Sequence, residues 1–313
     1  MAGFTLRPMG AADKPVMLDI ASRTWEGSDY LPFVFDDWLA DGDGGFVAAL
    51  LDDRVVGCGK LTFLTPGDAW LEGLRKDPAV SEGGLAEMVT RHFLRRLAGR
   101  PGLRSVRFST YVCNERSIAV NERLGFRRRN VFSCKAWTGK RGEAGGVDCP
   151  HAGRASVVRD PAEVRRFVEG SSWLAGSDGF LCEGWRVFPY SWDRFRTRYL
   201  ETGRCLGVLD GGRLAGLAAF AHDTRFDRTY VKLTLVEAVD REAATALLDA
   251  LFAYVRDHAR DDNEIEMILP PGTRIGGWAA ERGFRSWERE DDFLLYELPL
   301  PLLAGFAEED FRR

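Results

Sequence analysis

The stretch LEGLRKDPAVSEGGLAEMV, Leu71 to Val89, joins a strand pattern, a glycine turn and the start of a helix. That order suits anion binding. Glycines at Gly83 and Gly84 let backbone approach a ligand closely, and the free N–H groups and dipole of a helix N-terminus favour a phosphate. Ser81 and Glu82 stand where such a loop usually carries an arginine and another glycine. Taken alone, the stretch fits a pyrophosphate site and a plain strand-to-helix turn equally well. Other reactive residue types exclude more than they suggest. The six cysteines (Cys58, Cys113, Cys134, Cys149, Cys182, Cys205) form no CxxC pair and share no ligand spacing with the four histidines. No metal site is expected. His92 and His258 fall inside predicted helices and read as structural.

The elements that must position the loop are clear. FTLRP reads as a strand, AADKPVMLDIASR as a helix with Pro15 in its first turn, and VFDDWLAD as a second helix. FVAALLD and RVVGCGKLTFL are strands joined at Asp52–Asp53, and DAWLEGLRK is a third. After the loop, Leu85, Met88, Val89, Phe93 and Leu97 recur at helical spacing on one face. SVRFSTYV is a strand, followed by a helix capped by Asn114 and closed by Gly125, then the strand FRRRNVFSCKAW.

The glycine-rich segment from 139 to about 154 reads as a linker or exposed excursion. The second half repeats the β α α β β β α β α β order, with the helix PAEVRRFVEG opened by Pro161. NERLGFRRR is echoed by AAERGFRSWE. Order and local motif together indicate a tandem duplication. The predicted fold class is therefore α/β, two domains each with a mixed sheet: residues 1–138, a linker 139–154, and a diverged 155–313.

Bulk properties agree with an ordinary protein. At 313 residues two domains are the natural prior, and a formal charge of −4 argues for neither nucleic-acid nor membrane partners. With no signal-peptide pattern and no apolar run near about 18 residues, a reduced cytoplasmic setting is expected.

Residues 1–138 resemble the GNAT superfamily of acyl-CoA-dependent N-acyltransferases. The family loop reads Arg/Gln-x-x-Gly-x-Gly/Ala; Ser81, Gly84 and Ala86 hold those places. A second family signature begins with an Asn at a helix start, then a Tyr seven residues on and a Gly-Phe pair; Asn114, Asn121, Gly125 and Phe126 hold those places. WEGSDYLPFVFDDWLAD with WLEGLRKDP is similar to the histidine N-acetyltransferase-like branch, which pairs an N-terminal GNAT domain with a diverged second one. The resemblance implies acetyl transfer from acetyl-CoA, the acyl donor, to the amine of a small molecule, with a free amino acid as a candidate acceptor.

That reaction assigns roles. A carboxylate must take the amine's proton, and strand alternation turns Glu72 toward the cleft. A donor must meet the thioester oxygen as it gains charge; backbone N–H groups from Leu74 through Arg75 to Lys76 are placed for it. The family's tyrosine acid is replaced by Asn121, which donates a hydrogen bond but no proton at neutral pH; Tyr111 is the nearby substitute. Cofactor contacts are expected from Ser81, Gly83, Gly84, Leu85, Ala86 and Asn114. For the acceptor, Glu26, Asp29 and Tyr30 could bind an ammonium group, with Trp25, Phe33 and Phe35 as apolar walls. Asp36 and Asp37 are read as caps of a short helix.

The second half has no glycine in EAVDREAATALLD, and Asp240 and its acidic neighbours would repel a pyrophosphate. Its expected role is to complete the acceptor pocket or to brace the first half. The losses at Ser81, Glu82 and Asn121 keep a second reading open, a non-catalytic acyl-CoA-binding scaffold.

Overall fold

The computed structural model describes residues 3–27, 29–140, 147–223 and 228–307. The first half follows the expected order: β1 (Thr5–Pro8), α1 (Lys14–Ser22), α2 (Leu31–Ala40), β2 (Gly45–Leu51), β3 (Arg54–Thr65), β4 (Asp68–Lys76), α3 (Leu85–Leu97), β5 (Ser105–Tyr111), α4 (Glu115–Arg123) and β6 (Arg127–Lys140). β1 to β4 are successive antiparallel neighbours, and β5 joins β4 in parallel.

Alternation along β3 sorts the two faces. Gly57 and Gly59 lie under α3: a Cβ on Gly59 would meet Val89 at 2.4 Å, and one on Gly57 would meet the Arg75 carbonyl at 2.3 Å. Leu85, Val89, Phe93, Leu94 and Leu97 of α3 are buried there, each contributing about 1.5–3 kcal/mol by leaving water. Met88, expected on the same face, is only half-buried because it lies toward a groove described below. On the opposite face α1 and α2 pack Met17, Ile20, Leu31, Phe35 and Trp38 against Phe46 and Cys58. α2 starts earlier than expected, with a proline in its first turn. Asp36 therefore sits inside the helix, where it pairs with Lys14 at 2.5 Å, and Asp36 and Asp37 are not its caps.

The chain divides into two compact units, residues 1–129 with 295–313, and residues 130–294. This division differs from the expected domains 1–138 and 155–313, because each half sends its last strand into the other unit. β6 is 14 residues long, and from Asn130 it belongs to the second unit, where Ser133–Lys140 pair antiparallel with the strand Asp262–Leu269. In the first unit, β5 is followed by the strand that ends at Glu297. There Leu298 N–H reaches the Val106 carbonyl at 2.9 Å and Tyr296 stacks on Phe108 with centroids 5.2 Å apart.

The second unit contains β7 (Ala155–Val157), α5 (Pro161–Glu169), α6 (Ser172–Gly176), the hairpin β8 (Phe180–Glu183) and β9 (Arg186–Pro189), and α7 (Trp192–Phe195), which runs into a π-helical turn. β10 (Cys205–Asp210), β11 (Arg213–Asp223), β12 (Arg228–Ala238), α8 (Arg241–Asp257), β13 (Asp262–Leu269), α9 (Ile275–Glu281) and the short β14 (Arg285–Ser286) complete it. β15 (Phe293–Glu297) and α10 (Leu300–Ala307) end the described chain. The repeated order is present, with α6, the β8–β9 hairpin and the short β14 as additions. Residues 141–146 of the expected linker lie outside the described residues; from His151 onward it packs on the second unit, where the His151 amide reaches Asp249 at 3.1 Å. Among the described residues no helix is long and apolar enough to cross a membrane.

Candidate active site

The first unit opens where β4 and β5 part. They pair only through Asp68, Ala69 and Trp70, so the β5-facing edge of Leu71–Lys76 is released from the ladder. Asp77 N–H bonds the Val56 carbonyl on the β3 side at 2.7 Å. Strand alternation then turns the amides of Leu74 and Lys76 to the open edge. A bulge shapes the same stretch: β3 pairs Cys58 with Arg75 but Lys60 with Glu72, so β4 carries one extra residue. Gly73 absorbs it at φ +69°, where a Cβ would strike Trp38 at 2.4 Å.

The extra residue changes which side chains meet. Three positions apart in a regular strand, Glu72 and Arg75 would point to opposite faces. With the bulge both lie on the α1–α2 face. Glu72 accepts a hydrogen bond from Thr62 Oγ1 at 2.6 Å. The side chain of Arg75, whose backbone amide was expected at the cofactor, donates to Asp29 from Nε at 2.6 Å and Nη2 at 2.9 Å, both side chains being nearly fully buried. Burial alone would lower the Arg75 pKa; the Asp29 carboxylate overcomes it and keeps the guanidinium charged. Asp29 also accepts Leu31 N–H at 3.0 Å. The ammonium-binding expectation for Asp29 is thereby corrected: its carboxylate is committed to Arg75 and to the start of α2.

The expected acceptor residues gather around this pair. Trp25, 58% exposed, covers the guanidinium at 4.2 Å, and the Tyr30 ring lies 5.0 Å from it. Burial raises the Tyr30 hydroxyl pKa; Arg75 opposes the rise, and Glu72 adds to it. Phe33 is exposed on α2. Phe35 is fully buried against Phe46 and belongs to the core, not to an acceptor wall. The side chain of Glu26 lies outside the described residues. Lys60, missed in the sequence, is buried on the same face and bonds the Asp41 carboxylate and the Leu61 carbonyl. Its position opposite Glu72 would have been readable from the hairpin register had the bulge been known.

The glycine turn has the form expected of it. Asp77 anchors its start, accepting Arg23 at 2.7 Å and Ala79 N–H at 2.9 Å, and the arginine holds its carboxyl below the usual range. Gly84 is left-handed at φ +97°, and no side chain caps α3 behind it. The first-turn amides, from Leu85 and Ala86 onward, therefore lack the i−4 partners of a helix interior. Ser81 and Gly83 are exposed. Lys76 reaches back from β4 to the Glu82 carbonyl at 3.1 Å, bringing a cation to the turn. Gly84, Glu87, Met88, Arg91 and Arg95 line a groove of ≈ 260 Å³ along α3. Arg91 and Arg95 recur at +7 and +11 from Gly84, a helical spacing that sequence reading could have used. Glu82 is not a groove residue; Glu87 is, bonded to Arg91 at 2.9 Å and facing Arg123 at 3.9 Å.

The second signature is folded differently from expectation in its details. Asn114 stands at the N-cap of α4 without capping it; its amide donates to Thr110 Oγ1 at 3.1 Å. Asn121 is buried, and its amide donates to the Ser117 carbonyl one turn back at 2.9 Å. Its Nδ2 is thus taken by its own helix. Tyr111 ends β5, on the strand that parts from β4. Among the described residues no group of His, Cys, Asp or Glu could hold a metal ion.

Comparison with known proteins places this geometry. Residues 15–126 match the acetyltransferase (GNAT) family, so the first unit carries a GNAT domain. No curated protein matches the chain. Solved structures share the fold along nearly the whole length. A GCN5-related N-acetyltransferase from Sphaerobacter thermophilus superposes with a TM-score of 0.64 at 13% identity, covering 95% of this chain and 96% of the other. A tandem GNAT protein from the clavulanic acid biosynthesis pathway gives 0.58 at 16% identity, covering 95% and 99%. A putative acetyltransferase from Thermoplasma acidophilum gives 0.52 at 15%, covering 94% and 93%.

Proposed function

Taking a GNAT domain over residues 15–126 as premise, we propose that the protein is an acetyl-CoA-dependent N-acetyltransferase acting on a small-molecule amine. The observation that carries the reading is the parting of β4 from β5 beside an uncapped helix N-terminus. Gly84 and the first-turn amides of α3 would receive the pyrophosphate, with Arg91, Arg95 and Lys76 supplying the positive charge that Ser81 does not. The amides of Leu74 and Lys76 would bond the extended arm of the donor and its carbonyl oxygen.

Glu72 is the proton acceptor in this reading. It is half-buried, fixed by Thr62, and close enough to Tyr30 to act on its hydroxyl. The attacking amine loses its proton toward Glu72, its nitrogen forms the new C–N bond, and the thioester C–S bond breaks as the oxyanion collapses. The leaving thiolate needs a proton, and Tyr111 is the assigned source. Trp25, Tyr30 and Phe33 would frame the acceptor. The finer likeness to histidine N-acetyltransferases rests on WEGSDYLPFVFDDWLAD and WLEGLRKDP, and a free amino acid is one acceptor to include.

A thiol-release assay with acetyl-CoA across amino acids, aryl amines and polyamines tests the proposal: release that depends on one amine class supports it. The second reading, a non-catalytic acyl-CoA binder, draws on Asn121, whose amide is bonded to Ser117. Calorimetric binding of acetyl-CoA with no release on any acceptor would favour that reading. Absence of binding at millimolar concentration would remove both.

A further inference from the structure

The second unit has its own groove at the mouth between a strand end and a helix start. It measures ≈ 520 Å³ and is lined by Arg166, Arg213, Arg274, Glu163, Glu237 and Val239, among others. That volume lies in the range of small-molecule sites. α8 itself offers no backbone anion site, because Asp240 caps it by accepting Ala243 N–H at 2.8 Å. The groove's charge comes from side chains.

Both acids in the wall are already engaged. Glu163 accepts Leu214 N–H at 2.9 Å and pairs with Arg166. Glu237 accepts Ser172 Oγ at 2.8 Å and Trp173 N–H at 2.9 Å, closing the start of α6. Among the described residues no carboxylate pairs with Arg213 or Arg274. Arg213 opens β11 and Arg274 stands at the N-cap of α9, so two separate elements bring uncompensated guanidinium groups to one concavity. Val239, 51% exposed, adds an apolar wall.

We propose that this groove binds a small oxyanion-bearing molecule, a phosphate or carboxylate compound, through Arg213 and Arg274. Planar guanidinium groups match both anions with paired N–H donors. The site is separate from the one assigned to acetyl-CoA in the first unit, and Asp240 excludes the helix-dipole mode of holding it.

The test is calorimetry on the full chain with inorganic pyrophosphate and with citrate, in saturating acetyl-CoA, against the double variant Arg213→Glu/Arg274→Glu. The expected result is one site for at least one probe, persisting in acetyl-CoA and weakened about tenfold or more in the variant through lost charged hydrogen bonds. Pyrophosphate binding alone would mark the ligand as a phosphate, citrate alone as a carboxylate. The milder Arg213→Gln/Arg274→Gln pair separates lost contacts from added repulsion. Both arginines are exposed, so the thermal midpoint should hold. No heat from either probe at millimolar concentration, or equal affinity in the double variant, would overturn the proposal.

Discussion

The Asp29 carboxylate grips the Arg75 guanidinium through two hydrogen bonds, 2.6 Å to Nε and 2.9 Å to Nη2, with both side chains almost fully buried. This pair ties the segment before α2 to the bulged end of β4, the two elements that would frame the acceptor in the proposed reaction. Removing one partner leaves the other charged and buried. Asp29→Ala should therefore destabilise the protein by about 3–5 kcal/mol, read as a lower urea midpoint. Arg75→Lys should also destabilise, because an ammonium cannot reproduce the two-bond fork. A midpoint unchanged in both variants would show that the pair does not hold the segment.

Glu72 is held by Thr62 at 2.6 Å on the same face as Arg75. If it takes the proton of the amine, Glu72→Gln keeps the shape and loses the base. The expected fall in kcat is about 10²–10⁴-fold, with KM for acetyl-CoA nearly unchanged. Thr62→Val should have a smaller effect in the same direction. Full activity in Glu72→Gln would move the base elsewhere.

Gly83 and Gly84 differ in what they tolerate. Gly84 has φ +97°, whereas Gly83 lacks a left-handed φ and has open space around its Cβ position. Gly84→Ala should cost about 1–2 kcal/mol in left-handed strain, while Gly83→Ala should be close to neutral. Gly84→Asp adds repulsion at the helix N-terminus and should weaken acetyl-CoA binding in calorimetry. Unchanged affinity would mean that the turn is not the phosphate site.

The sequence made the frame of this site legible and its wiring obscure. Element order follows from hydrophobic period and turn residues, which act locally, so α3 and the Gly84 and Gly125 turns lie where expected. Gly73 inside the β4 pattern is a signal of a bulge, but a glycine alone does not fix the register, and it is the bulge that brings Arg75 to Asp29. Asn121 shows the converse limit: a motif position names a residue, but the hydrogen bond to Ser117 is set by its own helix. The exchange of last strands was hidden too. β15 is mostly apolar and β6 mixes charged with apolar residues, and the partners of both are chosen by tertiary packing.

The C-terminal strand should be essential to the first unit. Tyr296 stacks on Phe108 at 5.2 Å, donates to Glu122 at 2.9 Å, and is followed by Glu297, which pairs with Arg107 at 2.5 Å. Tyr296→Ala empties a buried aromatic site, a change that costs about 3–5 kcal/mol. The measurement is acetyl-CoA affinity together with the urea midpoint. Loss of the midpoint with normal affinity at low temperature would show that the strand contributes stability alone.

Glu264 gives the second unit a pH signature. It is buried on β13, and burial raises its carboxyl pKa to about 7 from an ordinary 4.5. Glu266 adds to the rise, while Arg228, donating at 2.8 Å, and Lys232 oppose it. The folded state therefore keeps a proton that the unfolded state releases. Its stabilising contribution is complete below pH 4.5 and is lost as the pH rises toward 7, above which this group adds no further slope. The span corresponds to about 3 kcal/mol, an upper figure for a group coupled to Glu266. Glu264→Gln carries no proton to release, so its urea midpoint should vary less between pH 4.5 and pH 7 and exceed that of the parent above pH 7. Parallel pH profiles for the two proteins would place the titration on another group.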